Sequence, residues 1–456
     1  MGSVRRMTPI LTVVLTTAVL SWPASAGPAS EEPALTTDRA AAHVNRILAS
    51  LGLDRSEIAL QRSPRNYAGP NCPGGGWKCD DATRPVLQIS SEDRRTAGRN
   101  VAECPPGPNQ CVVFQITASG ENLAECTQNT DQPEGAVIQS CEIVQVNSFG
   151  TNTALVDQGI RQQATGSVQD ATQTATLTQE NGSGSNLGRL RQRIDQSATA
   201  TVLGVAGGGT VGALEQIQEA MQSTSVDQRT TSGNNTSTVE QFLVQSANAA
   251  TDTSVGRGAV IQKQNALDDG RDLAARIEQH SSPTDGGTNL SELVQETRLD
   301  AEASARTVDQ VQGSLEGGLQ GFVNQFSSGL STSVNSQDEM QVANADAEVV
   351  SQTQHGPMHC CTAQFDNPDN IFDILQTSSQ AASDPDALQT NDVRGSCVTS
   401  GLCTVDQTVT QDGGVTTNAC SGAACFPFIL CPLPGGTPGD PCATGIRRVS
   451  WNRRPR

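Results

Sequence analysis

A recurring spacing in this chain dictates where its side chains must point. Gln is followed five residues later by Gly, and then, at alternate positions, by Asn, a small residue, an aliphatic residue or Cys, and Gln. Copies begin at Gln115, Gln145, Gln179 and Gln228. The first contains Gly120, Asn122, Ala124, Cys126 and Gln128. The second contains Gly150, Asn152, Ala154, Val156, Gln158, Ile160 and Gln162. The third contains Gly184, Asn186, Gly188, Leu190, Gln192, Ile194 and Gln196, and the fourth Gly233, Asn235, Ser237, Val239, Gln241, Leu243 and Gln245. From the glycine onward, every recurring residue has the same parity. In a strand, alternate residues share a face, so all of these point one way. Residues between them differ freely (Thr153, Leu155 and Asp157 against Leu187, Arg189 and Arg191), as outward positions do. A looser fifth copy has Gly287, Asn289, Ser291, Leu293 and Gln295.

One such strand cannot bury its own face, whereas stacked copies bury a continuous core. Neighbouring strands lie about 4.8 Å apart, so like residues come to sit over one another. A buried amide is costly alone, but in a stack each amide can donate to one neighbour and accept from the other. The glycine suits a turn with positive φ. Aromatic residues are only 3% of the chain and Tyr occurs once, so the interior must be filled by small residues, β-branched residues and Gln. Low hydrophobicity also suits a disordered Gln-, Ser- and Thr-rich stalk, but disorder imposes no parity. The expected fold is all-β: a repeat β-solenoid or β-helix-like array with disulfide-stapled terminal regions and a minor helix.

The copies are 30, 34 and 49 residues apart, which fits either inserted loops or extra strands per unit. Val86–Ile89 and Val112–Ile116 read as strands leading into the array. Beyond Leu299, Val308, Val311, Leu315, Leu319, Phe322 and Phe326 fit either strand or a helical stripe, with Gly313, Gly317, Gly318 and Gly321 weighing against helix. Residues 27 to about 60 have an amphipathic helical pattern. Residues 407–414 look like a partial repeat.

Arg5 and Arg6, the apolar run Ile10–Leu20 and Ala24-Ser25-Ala26 read as a secretory signal peptide. The run is too short to span a bilayer, and no second long apolar run follows. The organisation expected is therefore a signal peptide at 1–26, a cysteine-containing cap at 27–111, the Gln/Asn-rich array at 112–345 and a cysteine-rich region at 346–456. An exported chain with 14 Cys implies disulfides. The candidates are Cys72, Cys79, Cys104, Cys111, Cys126 and Cys141 before the array, and Cys397, Cys403, Cys420, Cys425, Cys431 and Cys442 after it, with connectivity open. The seven-residue spacings of Cys72 with Cys79 and Cys104 with Cys111 suit clipped turns better than zinc pairs.

The net charge of −19 argues against nucleic-acid binding. Arg447, Arg448, Arg453, Arg454 and Arg456 form a basic tail suited either to solvent or to an anionic partner. No nucleophile–base set stands out. His355, His359, Cys360 and Cys361 could hold a soft metal or be two disulfide-bonded cysteines beside incidental histidines. Asp268, Asp269, Asp366 and Asp369 lack a full calcium-loop pattern. No catalytic, cofactor-binding or metal-binding residue is assigned, and no cofactor is expected.

The copies resemble curlin-type repeats, the Gln- and Asn-bearing strand-turn-strand units of bacterial curli fibre subunits. Asn186, Gln192 and Gln196, with Gly184 at the turn, match the ladder and turn residues of that family. The units here are longer and irregular, the family's Gln-x-Gly-x-x-Asn order is here Gln-x4-Gly-x-Asn, and cysteine-rich ends flank the array. The resemblance implies a secreted, non-catalytic structural protein of the envelope, coat or extracellular matrix. Its expected partner is itself or an extracellular polymer or surface. A monomeric adhesion or glycan-binding module is the alternative.

Overall fold

The parity of the repeat is realised as a stack of parallel rungs. A computed structural model describes residues 58–418, apart from short stretches between strands, and the strand at 446–454. These residues belong to one unit, Leu35–Arg456. Every pairing among the described strands is parallel and in one sheet network. No helix occurs among the described residues. The expected helical pattern at 27–60 lies outside them, except that Ala59 already begins a strand. No described helix is long and apolar enough to cross a membrane, which says nothing of a β-barrel.

The first rungs are narrow: β1 (Ala59–Arg62) with β2 (Arg65–Ala68), flanked by β3 (Lys78–Asp80), then β4 (Val86–Ser91) with β5 (Gly98–Cys104). The next four are single bent strands that widen from 22 to 30, 35 and 38 residues: β6 (Gln110–Asp131), β7 (Gly135–Ala164), β8 (Val168–Val202) and β9 (Leu214–Thr251). The unequal repeat spacing therefore arises from both widening rungs and longer connections. On β9 sit three strands end to end, β10 (Ala259–Gln264), β11 (Leu273–Ser281) and β12 (Asn289–Ser304), in register with residues 214–218, 222–230 and 235–250. Then come β13 (Thr307–Gln312), β14 (Leu319–Phe326) and β15 (Ser331–Asp346), followed by β16 (Val349–Gln364) with β17 (Asn370–Ala382). The last are β18 (Leu388–Thr399) with β19 (Leu402–Asp412), and β20 (Val415–Asn418) with β21 (Ile446–Arg454). Residues 300–345 are thus strand where described, apart from bends between the strands, and the stacking extends on both sides of 112–345.

Each bent strand switches its inward parity at the glycine. In β8 the buried residues are odd up to Gln179 and even from Asn186. The bend folds the strand into two facing layers with the recurring residues between them. Ile143, Leu177, Leu190, Ile194, Leu243, Ile277 and Leu293 fill this interior and are fully buried. Facing positions compensate in size: a methyl group added at Gly188 would meet the Leu177 side chain. Such a thin interior needs no large aromatic side chains. Among the described residues the one fully buried Phe, Phe114, lies in a separate cluster with Ile58, Val112, Ile116, Val144 and Val146. These alternate with inward Val113, Gln115, Ile143 and Gln145, so this part of the sheet is buried on both faces.

Candidate functional site

The repeated inward residues assemble into hydrogen-bonded columns. Asn66, Asn100, Asn122, Asn152, Asn186, Asn235 and Asn289 form the first, each Nδ2 donating to the Oδ1 of the next rung at 2.8–3.0 Å. The second hydrogen goes to a main-chain carbonyl of the following rung, as from Asn152 to Glu180 and from Asn186 to Arg229, both 2.9 Å. Gln61, Gln88, Gln115, Gln145, Gln179, Gln228, Gln279 and Gln325 form the second column. Here the Nε2 donates to the preceding rung, so this column runs opposite to the Asn column. The remaining hydrogen reaches the other layer of the same rung, as from Gln145 to the Thr153 carbonyl at 2.7 Å. A complete amide pairing therefore also ties the two layers together.

Past the turn, Gln128, Gln158, Gln192, Gln241, Gln295 and Gln337 stack in the same sense, and so do Gln162, Gln196 and Gln245. All of the expected ladder residues thus lie in columns. The sequence pattern missed others: Gln139, Gln173 and Gln222; Gln169, Gln218, Gln264, Gln312 and Gln354; and Gln216, Gln262, Gln310, Gln352 and Gln389.

Column polarity predicts where pairing runs out. Among the described residues, the Asn column leaves Asn66 Oδ1 unpaired at its N-terminal end. Gln222, Gln245, Gln337 and Gln389 leave Oε1 unpaired at the C-terminal ends of theirs. A glycine column marks the bend. A Cβ at Gly150, Gly184 or Gly233 would lie 1.8–2.0 Å from the carbonyl oxygen of the glycine one rung before. Their φ angles are +144°, +142° and +148°.

A sulfur cluster occupies the narrow end of the interior. Cys104–Cys111 within it is a disulfide with a Cα separation of 6.0 Å, and a second disulfide, Cys72–Cys79 (5.9 Å), lies exposed outside it. Cys126 and Cys141 are buried and unbridged. Burial and its contact with Cys126 push the Cys141 thiol well up. The Sγ atoms of Cys104, Cys111 and Cys126 lie within 4.8 Å of one another.

Most of the other candidates lie outside the described side chains. His355 and the backbone of His359, Cys360 and Cys361 lie in β16, where Cys360 is in register with Cys397 of β18. The side chains of His359, Cys360, Cys361 and Cys397 fall outside the described residues, as do Asp268, Asp269, Asp366, Asp369, Cys420, Cys425, Cys431 and Cys442. Cys403 is placed by backbone alone, in register with Phe372. The basic tail forms β21, with Arg448 beside Asp406 and Arg454 beside Asp412 in register. Outward charges elsewhere form short-range pairs. Arg189 and Arg191 reach Glu240 on the next rung at 3.5 and 3.7 Å, and Arg193 pairs with Asp195 at 2.8 Å.

Burial raises the pKa of Asp170 and Asp338, and that of Glu142 and Glu339 to about 7. Glu142 lies on the doubly buried part of the sheet. Glu339 lies inside the stack, where it accepts from Gln341 at 2.8 Å and Gln376 at 3.1 Å. Burial also lowers the pKa of His280, whose ring stacks on Phe326. The charged groups that His280 faces are Arg229, Asp227 and Glu278. No family model matches this chain, and no curated protein or solved structure is significantly similar to it.

Proposed function

We propose that this chain is a secreted, non-catalytic structural protein of the envelope, coat or extracellular matrix, built on curlin-like repeats. The observation that carries the reading is the unbroken amide column from Asn66 to Asn289. The repeated residues are spent on holding rungs together and are sealed from solvent. What the molecule offers its surroundings is an outward surface that varies from rung to rung and an acidic net charge. The leader-like N-terminus and the cysteine usage support export. The chain's partner is then another copy of itself or an extracellular polymer.

A second reading, a monomeric adhesion or glycan-binding module, is favoured by the N-terminal edge. The edge strand β3 has 3 residues, carries Lys78 and is clipped by Cys72–Cys79. Short, charged and constrained edge strands oppose edge-to-edge growth. Sedimentation and electron microscopy of the mature chain over time test the proposal. Growth into fibres or sheets supports the structural reading. A persistent monomer that binds an immobilised glycan supports the module, and turnover of that glycan would overturn both.

A further inference from the structure

We propose that Cys126 and Cys141 are the partners of a further disulfide, stacked directly on Cys104–Cys111 and stapling the two layers of the solenoid at consecutive rungs. The argument begins with register. Cys104 of β5 lies beside Cys126 of β6, and Cys111 of β6 lies beside Cys141 of β7. Moving from one cysteine pair to the next is therefore a shift of one rung for both members. In a parallel, in-register stack such a shift is nearly a pure translation, which preserves the separation of the two positions. The Cα separation of Cys104 and Cys111 is 6.0 Å, inside the range a disulfide spans. The same separation is expected for Cys126 and Cys141.

Contact supports this geometry. The Cys141 side chain neighbours that of Cys126, and Cys126 Sγ lies within 4.8 Å of both Cys104 Sγ and Cys111 Sγ. One rung further, Val156 and Ala175 take the two positions. The paired cysteines therefore occupy two successive levels and then stop. The Cys126 and Cys141 positions are fully enclosed, so the bond must form before the rung closes over them.

The chemistry balances through an external disulfide, either a small-molecule disulfide or that of a thiol–disulfide oxidoreductase. One cysteine thiolate attacks it, forming a mixed disulfide and releasing one thiolate. The second cysteine thiolate attacks the mixed disulfide at the protein sulfur and releases the other. Two protein thiols are oxidised, one external disulfide is reduced, and the two protons end on the released thiols.

The test is a peptide map of the full chain folded in a buffer of oxidised and reduced glutathione, then alkylated under denaturing, acidic conditions without reduction. Trypsin cannot separate the pairs, because no Lys or Arg lies between Arg99 and Arg161. Cleavage after glutamate can: Glu103, Glu121, Glu125, Glu134 and Glu142 place Cys104 and Cys111 in one peptide, Cys126 in 126–134 and Cys141 in 135–142. The expected result is peptide 126–134 joined to 135–142, lost on reduction. A chain carrying Cys104→Ala and Cys111→Ala should still yield the joined pair. Alkylated Cys126 and Cys141, whether or not Cys104–Cys111 has formed, would overturn the proposal. So would a link from Cys126 to Cys104 or Cys111, or zinc bound stoichiometrically to four reduced thiols.

Discussion

Gly184 can carry no side chain for two separate reasons. Its φ of +142° is one that L-residues avoid, and a Cβ would sit 1.9 Å from the Gly150 carbonyl oxygen. Strain of that kind costs about 1–3 kcal/mol and overpacking about as much again. Gly184→Ala is therefore expected to destabilise the chain by about 3 kcal/mol or more, read from the denaturant midpoint. An unchanged midpoint would contradict the glycine column. Gln192 shows what the amides contribute. It donates to Gln158 and accepts from Gln241 and Thr224 at 2.8–2.9 Å. Replacing it with Leu leaves buried groups on both neighbouring rungs without partners, each costing about 1–3 kcal/mol. Its neighbour Arg191 is exposed and pairs with Glu240 at the surface, where such pairs contribute about 0–1 kcal/mol. Gln192→Leu should thus lower stability several-fold more than Arg191→Gln, and equal losses would refute the ladder.

At the scale of the strand, a charged residue in the interior makes stability depend on pH. Glu339 of β15 sits in the register that Thr297 holds on β12 and Gln376 on β17. Burial raises its pKa to about 7 from the ordinary carboxylate value of 4.5. A raised folded-state pKa means that the folded chain holds the proton more tightly than the unfolded chain. Its contribution is complete below about pH 4.5 and is lost as pH rises through about 7. Glu339→Gln should therefore raise the melting temperature at pH 8, with the gain disappearing towards pH 4.5. A gain that does not change with pH would contradict this account.

Strand character and inward parity were legible because residues two apart in a strand must share a face. The columns at Asn186, Gln192 and Gln196 followed directly. The earlier copy with Gln88 and Asn100 was hidden because residues 92–97 lengthen the interval between them to twelve, which defeats a fixed-spacing search. Gln262, Gln310 and Gln352 were hidden for a different reason. They lie on short strands joined by connections of unequal length, so only the stacked register aligns them. Whether the stretch around Phe322 was helix or strand could not be read locally, because its apolar spacing fits both. Pairing with β11 decides it.

At the scale of the whole molecule, the widening of the rungs should set the distribution of stability. The rungs of β7, β8 and β9 each contain several amide columns, whereas β1, β2 and β3 have 4, 4 and 3 residues. Amide hydrogen exchange should be slowest in β8, which is paired along its length on both sides, and fastest among the rungs at β3. Uniform protection would mean that the stack opens only as one unit. The rung order also accounts for the thin, aromatic-poor interior: two layers close enough for Leu177 to oppose Gly188 leave little room for large rings. The account stands on register above all, and a crystal structure of the chain measures register directly. It should show Asn152, Asn186 and Asn235 on successive parallel strands, their side-chain amides joined at 2.9–3.0 Å. Strands offset so that these residues are not neighbours, or no stacked strands between residues 112 and 300, would contradict it.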